Sequence, residues 1–295
     1  MRLASVSKAF TCAAIERLSD DRLIDLDEPI FPRLCITSVA LPGQQFKDPR
    51  IDHVTVRQCL EHTGGWVRWI SAFDPVFEGR AIARALNLPD RVRKRDVARY
   101  MYGEPLQYDP GDSTTYDADH RYSNFGYLLL ACLVEEVTGV SFEKYLQDEL
   151  LAPIGAADQV WVGGTLLSHR RPDEARYEAT EVVPSAWHPW SDVPVPRSYG
   201  GFLVGEMDGG GGLIATAPAV TAFIATHAVW GMGPRIPGYR SGSLPGTASL
   251  AFSRSDGIDW CYIFNTRDIP PDWDAHGRTT LDRLTEDLQA AIDSL

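Results

Sequence analysis

The sequence predicts a mixed α/β chain of the α+β kind, an antiparallel sheet flanked by helices with a large, mostly helical region between the chain ends. Two β-rich runs near the end, Thr247 to Arg254 and Ile258 to Asn265, are joined by Ser255-Asp256-Gly257, a hairpin signal. The middle of the chain instead repeats apolar residues at helical spacing between glycine and proline stops. With 295 residues, 44% of them hydrophobic, the chain can bury a large core. We read 1–295 as one domain, with an α/β part in 1–20 and 205–295 and a mostly helical part in 21–204.

The elements follow in order. Phe10, Ala13, Ala14 and Leu18 lie on one helical face, so Ser5 to Leu18 is read as a buried helix with Ser5 near its start. Thr55 to Glu61 is a second helix capped by Thr55, and His62-Thr63-Gly64-Gly65 turns the chain after it. A charged, mixed region runs to Tyr102, and Asp109-Pro110-Gly111-Asp112 is turn chemistry. Gly126 to Val137 is strongly apolar and stops at Gly139, and Ser141 with Lys144 opens a helix through Leu151 that ends at Pro153. Pro172 to Pro196, dense in Pro, Trp and acidic residues, reads as a long irregular loop, often a functional wall. After Asp208-Gly209-Gly210-Gly211-Gly212, a helix runs from Pro218 to Val229, and Thr280 to Leu295 closes as an amphipathic helix.

Composition excludes several function classes. A net charge of −12 with no long basic run argues against nucleic acid as a partner. The five cysteines, Cys12, Cys35, Cys59, Cys132 and Cys261, are scattered among apolar neighbours and read as buried small hydrophobes. No apolar stretch reaches the roughly 18 residues of a membrane span, and the N-terminus lacks a signal-peptide core, so the chain as given reads as cytoplasmic. The seven histidines include no H-E-x-x-H, so neither a metal nor another cofactor is expected. His62 reads as a structural residue that hydrogen-bonds its loop. Gly210-x-Gly212-x-x-Ala215 lacks the flanking βαβ unit of a dinucleotide site and reads as close backbone packing.

Three motifs occur in one order. Ser5-Val6-Ser7-Lys8 is an S-x-x-K, which on a helix puts a hydroxyl and an ammonium one turn apart on one face. A serine is a poor nucleophile until a neighbour takes its proton. Tyr122-Ser123-Asn124 then offers a phenol and an amide, and a phenol becomes a usable base where positive charge favours its ionised form. Arg240-Ser241-Gly242-Ser243 lies just before the hairpin and suggests an edge strand able to pair with an extended substrate. Taken singly, each has an ordinary structural reading: a capping Ser with a solvated Lys, a packed Tyr with a capping Asn, an exposed Arg in a turn-rich loop.

Together with Leu23-Ile24-Asp25-Leu26-Asp27-Glu28-Pro29-Ile30, Val54 to Gly65, Gly211 to Thr216 and Gly242 to Gly246, these motifs resemble the class C β-lactamase, D-Ala-D-Ala carboxypeptidase and related esterase family across almost the whole chain. The resemblance implies a β-lactamase-like fold and a serine hydrolase working through an acyl-enzyme, with Ser5, Lys8 and Tyr122 catalytic. It implies that Asn124, Arg240, Ser241, Gly242 and Ser243 bind substrate and that the backbone N–H groups of Ser5 and Ser243 form an oxyanion hole. The substrate would be an ester, a small amide or D-amino-acid peptide, or a β-lactam. Arg240 departs from the family's usual Lys or His, which points to a substrate carboxylate that its fork can grip. Only four residues precede Ser5, so N-terminal strands of the sheet are absent from the chain as given. Fraying near Ser5 and a bare sheet edge covered by an upstream segment or a second copy are expected. The rival reading is a catalytically impaired relative that binds or scaffolds. Trp66, Trp69, Trp187 and Trp190 are candidates for an acyl pocket.

Overall fold

The computed structural model describes residues 1–37, 41, 48–68, 74–178, 180–267 and 279–294. Its centre is the pair of helices Ser7–Asp20 and Asn124–Thr138. The second is apolar around its whole circumference, and everything from Asn124 to Val134 is buried, as a helix without a polar face must be. It starts two residues earlier than its apolar run because Ser123 Oγ caps it, accepting from the Gly126 N–H at 3.1 Å. Gly139 ends it in the left-handed conformation, φ +72°. The Val56–Leu60 helix is capped by Thr55 as expected, with Gln58 completing a capping box, and Gly126 lets the long helix approach it. A Cβ at Gly126 would sit 3.1 Å from the Cys59 carbonyl oxygen.

The Ser7–Asp20 helix is preceded by a tight 3-10 turn, Ala4–Val6, which holds Ser5. Phe10 stacks on Phe223 of the Ala217–Ile224 helix with ring centroids 3.9 Å apart. That helix stops short of Val229, its end tightening where the Thr226 N–H and hydroxyl both donate to the Phe223 carbonyl. The charged stretch before Tyr102 contains two helices, Gly79–Ala85 and Lys94–Tyr102. The helix from Ser141 begins as expected at Phe142, but it widens into a π-helical stretch, Leu146–Leu151, before the Pro153 turn. Thr280–Asp293 forms the closing helix, and Leu295 lies outside the described residues. Among the described residues no single helix is long and apolar enough to cross a membrane.

The expected sheet is antiparallel and three-stranded in the order β5 (Gly238–Leu244), β6 (Thr247–Ser253), β7 (Trp260–Phe264). Among the described residues no strand pairs with the outer edge of β7. Two short ribbons escaped the sequence reading: β1 (Val160–Val162) with β4 (Leu213–Ala215), and β2 (Val182–Pro184) with β3 (Pro194–Pro196). The second lies inside the stretch expected to be irregular, which Arg80 and Arg84 staple to the Gly79–Ala85 helix through the carbonyls of Ser185, Ser191 and Pro189. Cys35 corrects the reading of the cysteines: it is exposed, at a left-handed φ of +57° after the short Ile30–Arg33 helix.

The fraying expected near Ser5 is replaced by anchorage. Leu3 N donates to Leu213 O at 2.8 Å and Ala215 N to Met1 O at 2.9 Å, so the first residues extend the β1–β4 ribbon. The Arg2 guanidinium is buried over the Tyr177 ring, 4.2 Å from its centroid, and donates to the carbonyls of Ser198 at 2.7 Å and Gly164 at 3.1 Å. The Thr247 and Ser249 hydroxyls of β6 donate to the Arg2 and Leu3 carbonyls.

A buried ion cluster fixes the glycine run behind the Ser7–Asp20 helix. Lys94 Nζ donates to Asp208 Oδ2 at 2.5 Å and to Glu135 Oε1 at 2.8 Å, and Asp208 Oδ1 accepts from Gly209 N. Lys94 and Asp208 are both buried, so removing one leaves the other charge uncompensated. Lys94→Met is expected to lower stability by about 3–5 kcal/mol, and Lys94→Met combined with Asp208→Leu to recover much of that loss. Urea denaturation monitored by circular dichroism reads both, and a Lys94→Met protein as stable as the wild type would overturn this account.

Candidate active site

Ser5 and Lys8 sit on one face across the junction of the 3-10 turn and the helix, and Tyr122 and Asn124 meet them from the start of the long central helix. The Tyr122 hydroxyl donates to Ser5 Oγ at 2.9 Å. Lys8 Nζ donates to Ser5 Oγ at 3.1 Å, to Asn124 Oδ1 at 2.8 Å and to Gly210 O at 2.5 Å. An ammonium has three donors and no acceptor, so these contacts use it completely. The residue before Ser5, Ala4, holds a left-handed φ of +47°, a strained conformation for a side chain with a Cβ.

Burial pushes the Lys8 ammonium below its ordinary value, with Tyr122 pulling the other way. Burial by itself would raise the Tyr122 phenol, but the Lys8 charge, hydrogen bonds with Lys8 and Ser5, and the Arg240 charge bring it below its ordinary value. His62 packs its ring on Tyr122 with centroids 4.4 Å apart and accepts from the Ser123 N–H at 3.0 Å through Nδ1. Burial first, then the charges of Lys8 and Arg240, push this imidazole down to about 3, so it is neutral. Its placement is that of a packing residue beneath Tyr122.

The strand β5 closes the other side. Gly242 is the point of closest approach, where a Cβ would lie 2.4 Å from the Leu3 carbonyl oxygen and 2.9 Å from the Ser5 nitrogen. Ser241 and Ser243 face outward on the same strand, and Arg240, Gly242 and Leu244 face inward. Arg240 is 1% exposed: its Nε donates to Val229 O at 2.6 Å, its guanidinium lies 3.7 Å from the Trp230 ring centroid, and both terminal nitrogens are buried without a partner. Ser5, Tyr122, Asn124, Arg240 and Ser243 line one cleft of about 760 Å³.

Sequence reasoning missed Asp74 and the role of Gly210. Asp74 Oδ2 accepts from Asn124 Nδ2 at 2.6 Å, and its charge lies 3.8 Å from Arg68 Nε. A lone Asp-Pro between aromatic residues carries no periodic signal, although Asp74 does open a turn by accepting from the Val76 N–H. The glycine run packs against the helices as expected, with Gly209 O accepting from Thr11 and Gly210 O from Lys8. Of the four tryptophans, Trp66 alone among those described lines a cavity next to the site, about 400 Å³ bounded by Trp66, Asp74, Met101, Tyr122 and Phe125. Trp187 lies under Arg91 and edge-to-face with His169 elsewhere, Trp190 is half-exposed with its indole N–H on Leu88 O, and Trp69 lies outside the described residues. Among the described residues, none from Pro172 to Pro196 lines the Ser5 cleft.

The chain is similar to known proteins over most of its length. A relative from Escherichia coli O157:H7 named D-alanyl-D-alanine carboxypeptidase is 24% identical over 184 residues, 58% of this chain and 38% of its own. A penicillin-binding protein of Bacillus subtilis (strain 168) is 24% identical over 208 residues, 70% of this chain and 40% of its own. The matched region is thus well under half the length of these curated relatives. The crystal structure of a D-amino acid amidase from Ochrobactrum anthropi SV3 superposes with a TM-score of 0.64 at 18% identity, covering 100% of this chain and 85% of that one, a likeness of fold. The family model described as Beta-lactamase matches residues 1–273, and the chain, mixed α/β in build like its neighbours, belongs to that family.

Proposed function

We propose that the chain is a serine hydrolase in which Ser5 attacks a carbonyl and forms an acyl-enzyme. One observation carries this reading: Ser5 Oγ lies within hydrogen-bond reach of both Tyr122 and Lys8, at 2.9 and 3.1 Å. A serine so flanked has a route for its proton. Lys8, fully engaged as a donor, acts as a fixed positive charge, and Tyr122 in its ionised form accepts the Ser5 proton. The tetrahedral intermediate places its negative oxygen toward the backbone N–H groups of Ser5 and Ser243, where two aimed donors supply several kcal/mol of barrier lowering. Tyr122 returns its proton to the departing alcohol or amine. A water molecule then gives a proton to Tyr122 and attacks the acyl carbon, and as that intermediate collapses Tyr122 passes the proton to the departing Ser5 oxygen.

The substrate class we propose is an ester, a small amide or D-amino-acid peptide, or a β-lactam. Relatives named as carboxypeptidase and amidase support the amide end of that range. The Arg240 charge, uncompensated by a carboxylate among the described residues and buried just beneath Ser241 and Ser243 on the cleft wall, supports a substrate that carries a carboxylate near the scissile bond. The intact set Ser5, Lys8, Tyr122 and Asn124, joined by hydrogen bonds, weighs against a purely binding or scaffolding role.

Ser5→Ala is expected to abolish both turnover of p-nitrophenyl acetate and labelling by a serine-directed phosphonate. Lys8→Ala and Tyr122→Phe should each cost about 10²–10⁴-fold in kcat, far from additively. Mass spectrometry of labelled protein decides the matter, and a label on another serine with Ser5→Ala still active would sink the assignment.

The acid side of the pH profile tests the electrostatics. The active form has lost one proton from the Lys8–Tyr122 pair, and both members are lowered, so kcat/KM should rise with pH and level off below the ordinary phenol value of about 10. Arg240 lowers both groups, so Arg240→Met should move that limb to higher pH and erase any preference for carboxylate substrates. A limb in the same place in Arg240→Met would show that the guanidinium does not set the proton balance.

A further inference from the structure

We infer that Asp74 is a positioning residue that fixes the orientation of the Asn124 side chain and, through it, of Lys8; the inference rests on the serine-hydrolase reading. The Asn124 amide is held from both ends. Its Oδ1 accepts from Lys8 Nζ at 2.8 Å, and its Nδ2 donates to Asp74 Oδ2 at 2.6 Å. Lysine offers only donors and a carboxylate only acceptors, so each contact admits one end of the amide alone. Turned over, Asn124 would set an N–H against an ammonium and an oxygen against a carboxylate.

Asp74 suits this task because it is itself committed. Its other oxygen accepts from the Val76 N–H, its charge faces Arg68 at 3.8 Å, and its side chain is 14% exposed. Both carboxylate oxygens therefore receive N–H donors. An asparagine of the same shape has a single acceptor oxygen, and if that oxygen keeps the turn with Val76, its NH₂ group confronts Asn124 Nδ2. The amide of Asn124 then turns over, Lys8 loses one of its three acceptors, and the ammonium is free to leave Ser5. An amide nitrogen carries two hydrogens. With one on Asp74, the second has a fixed direction, available to a substrate carbonyl.

The test is a double-mutant cycle between Asp74→Asn and Asn124→Ala, read by kcat/KM for p-nitrophenyl acetate and by the rate of Ser5 labelling with a phosphonate. Asp74→Ser is made in parallel, so that the cycle survives if either variant fails to fold. Glu78→Gln removes the neighbouring carboxyl that feels the Asp74 charge without touching Asn124, and it should stay within about twofold of wild type. Asp74→Asn is expected to lose about tenfold to a hundredfold in kcat/KM despite its matched shape, as loss of a buried hydrogen bond to a charged group implies. In the Asn124→Ala background the same change should cost nothing further. Wild-type rates in Asp74→Asn, or an equal loss in both backgrounds, would overturn the inference while leaving the nucleophile in place. Absence of Ser5 labelling in the wild-type protein would overturn the hydrolase reading itself and this inference with it.

Discussion

The buried Lys8 ammonium holds the site together, because its three donors reach three segments that are far apart in the chain. One bond reaches back to Ser5 in the turn before its helix, one crosses to the central helix at Asn124, and one reaches the glycine run at Gly210. A buried cation is costly unless its donors are met, so any arrangement of these segments that leaves one bond unmade is disfavoured. The architecture around it serves that condition. Gly126 brings the central helix close to its neighbour, Gly242 brings β5 against the Ser5 turn, and the Lys94–Asp208 pair clamps the glycine run from behind.

The charge pattern follows from the same constraint. Lys8 and Arg240 are both buried within one cleft wall, and both act on Tyr122. Repulsion between two cations is tolerable because Arg240 lies flat on Trp230 and gives its Nε to a backbone carbonyl, while Lys8 is fully hydrogen-bonded. A neutral His62 under the phenol adds packing without adding a third charge. Asp74, with Arg68, supplies the nearest negative charge, held one amide away from Lys8.

What could be read from the sequence was local. The Thr55 cap, the apolar run stopped by Gly139, and the hairpin around Ser255-Asp256-Gly257 are each determined by residues within a few positions of one another, and the structure bears them out. Motif order brought Ser5, Lys8, Tyr122 and Asn124 together on paper, and they meet in space. The misses are contacts between distant, individually unremarked residues. Lys94 and Asp208 are 114 positions apart, and neither has a neighbour that marks it as buried. The strands β1 and β4 are too short at three residues each to show alternation. Fraying was the natural expectation for residues so close to Met1, and only the fold reveals that Arg2 has Tyr177 to lie on.

The anchorage of the first residues bears on how the chain assembles as it is made. The Arg2 and Leu3 carbonyls are met by hydroxyls 245 and 246 positions downstream, and Met1 and Leu3 pair with residues 213–215. Contacts of such separation form late, since the intervening chain must first be ordered, and during synthesis they cannot form until that distant stretch has emerged. The helices of the middle region, built from local contacts, can be in place long before. The turn that carries Ser5 is therefore seated only after residues far downstream of it are in place. A chain that stops before β6 holds all four residues of the Ser5 cluster yet lacks the strand whose hydroxyls fix the turn that carries Ser5, so the cluster is organised only once β6 is present.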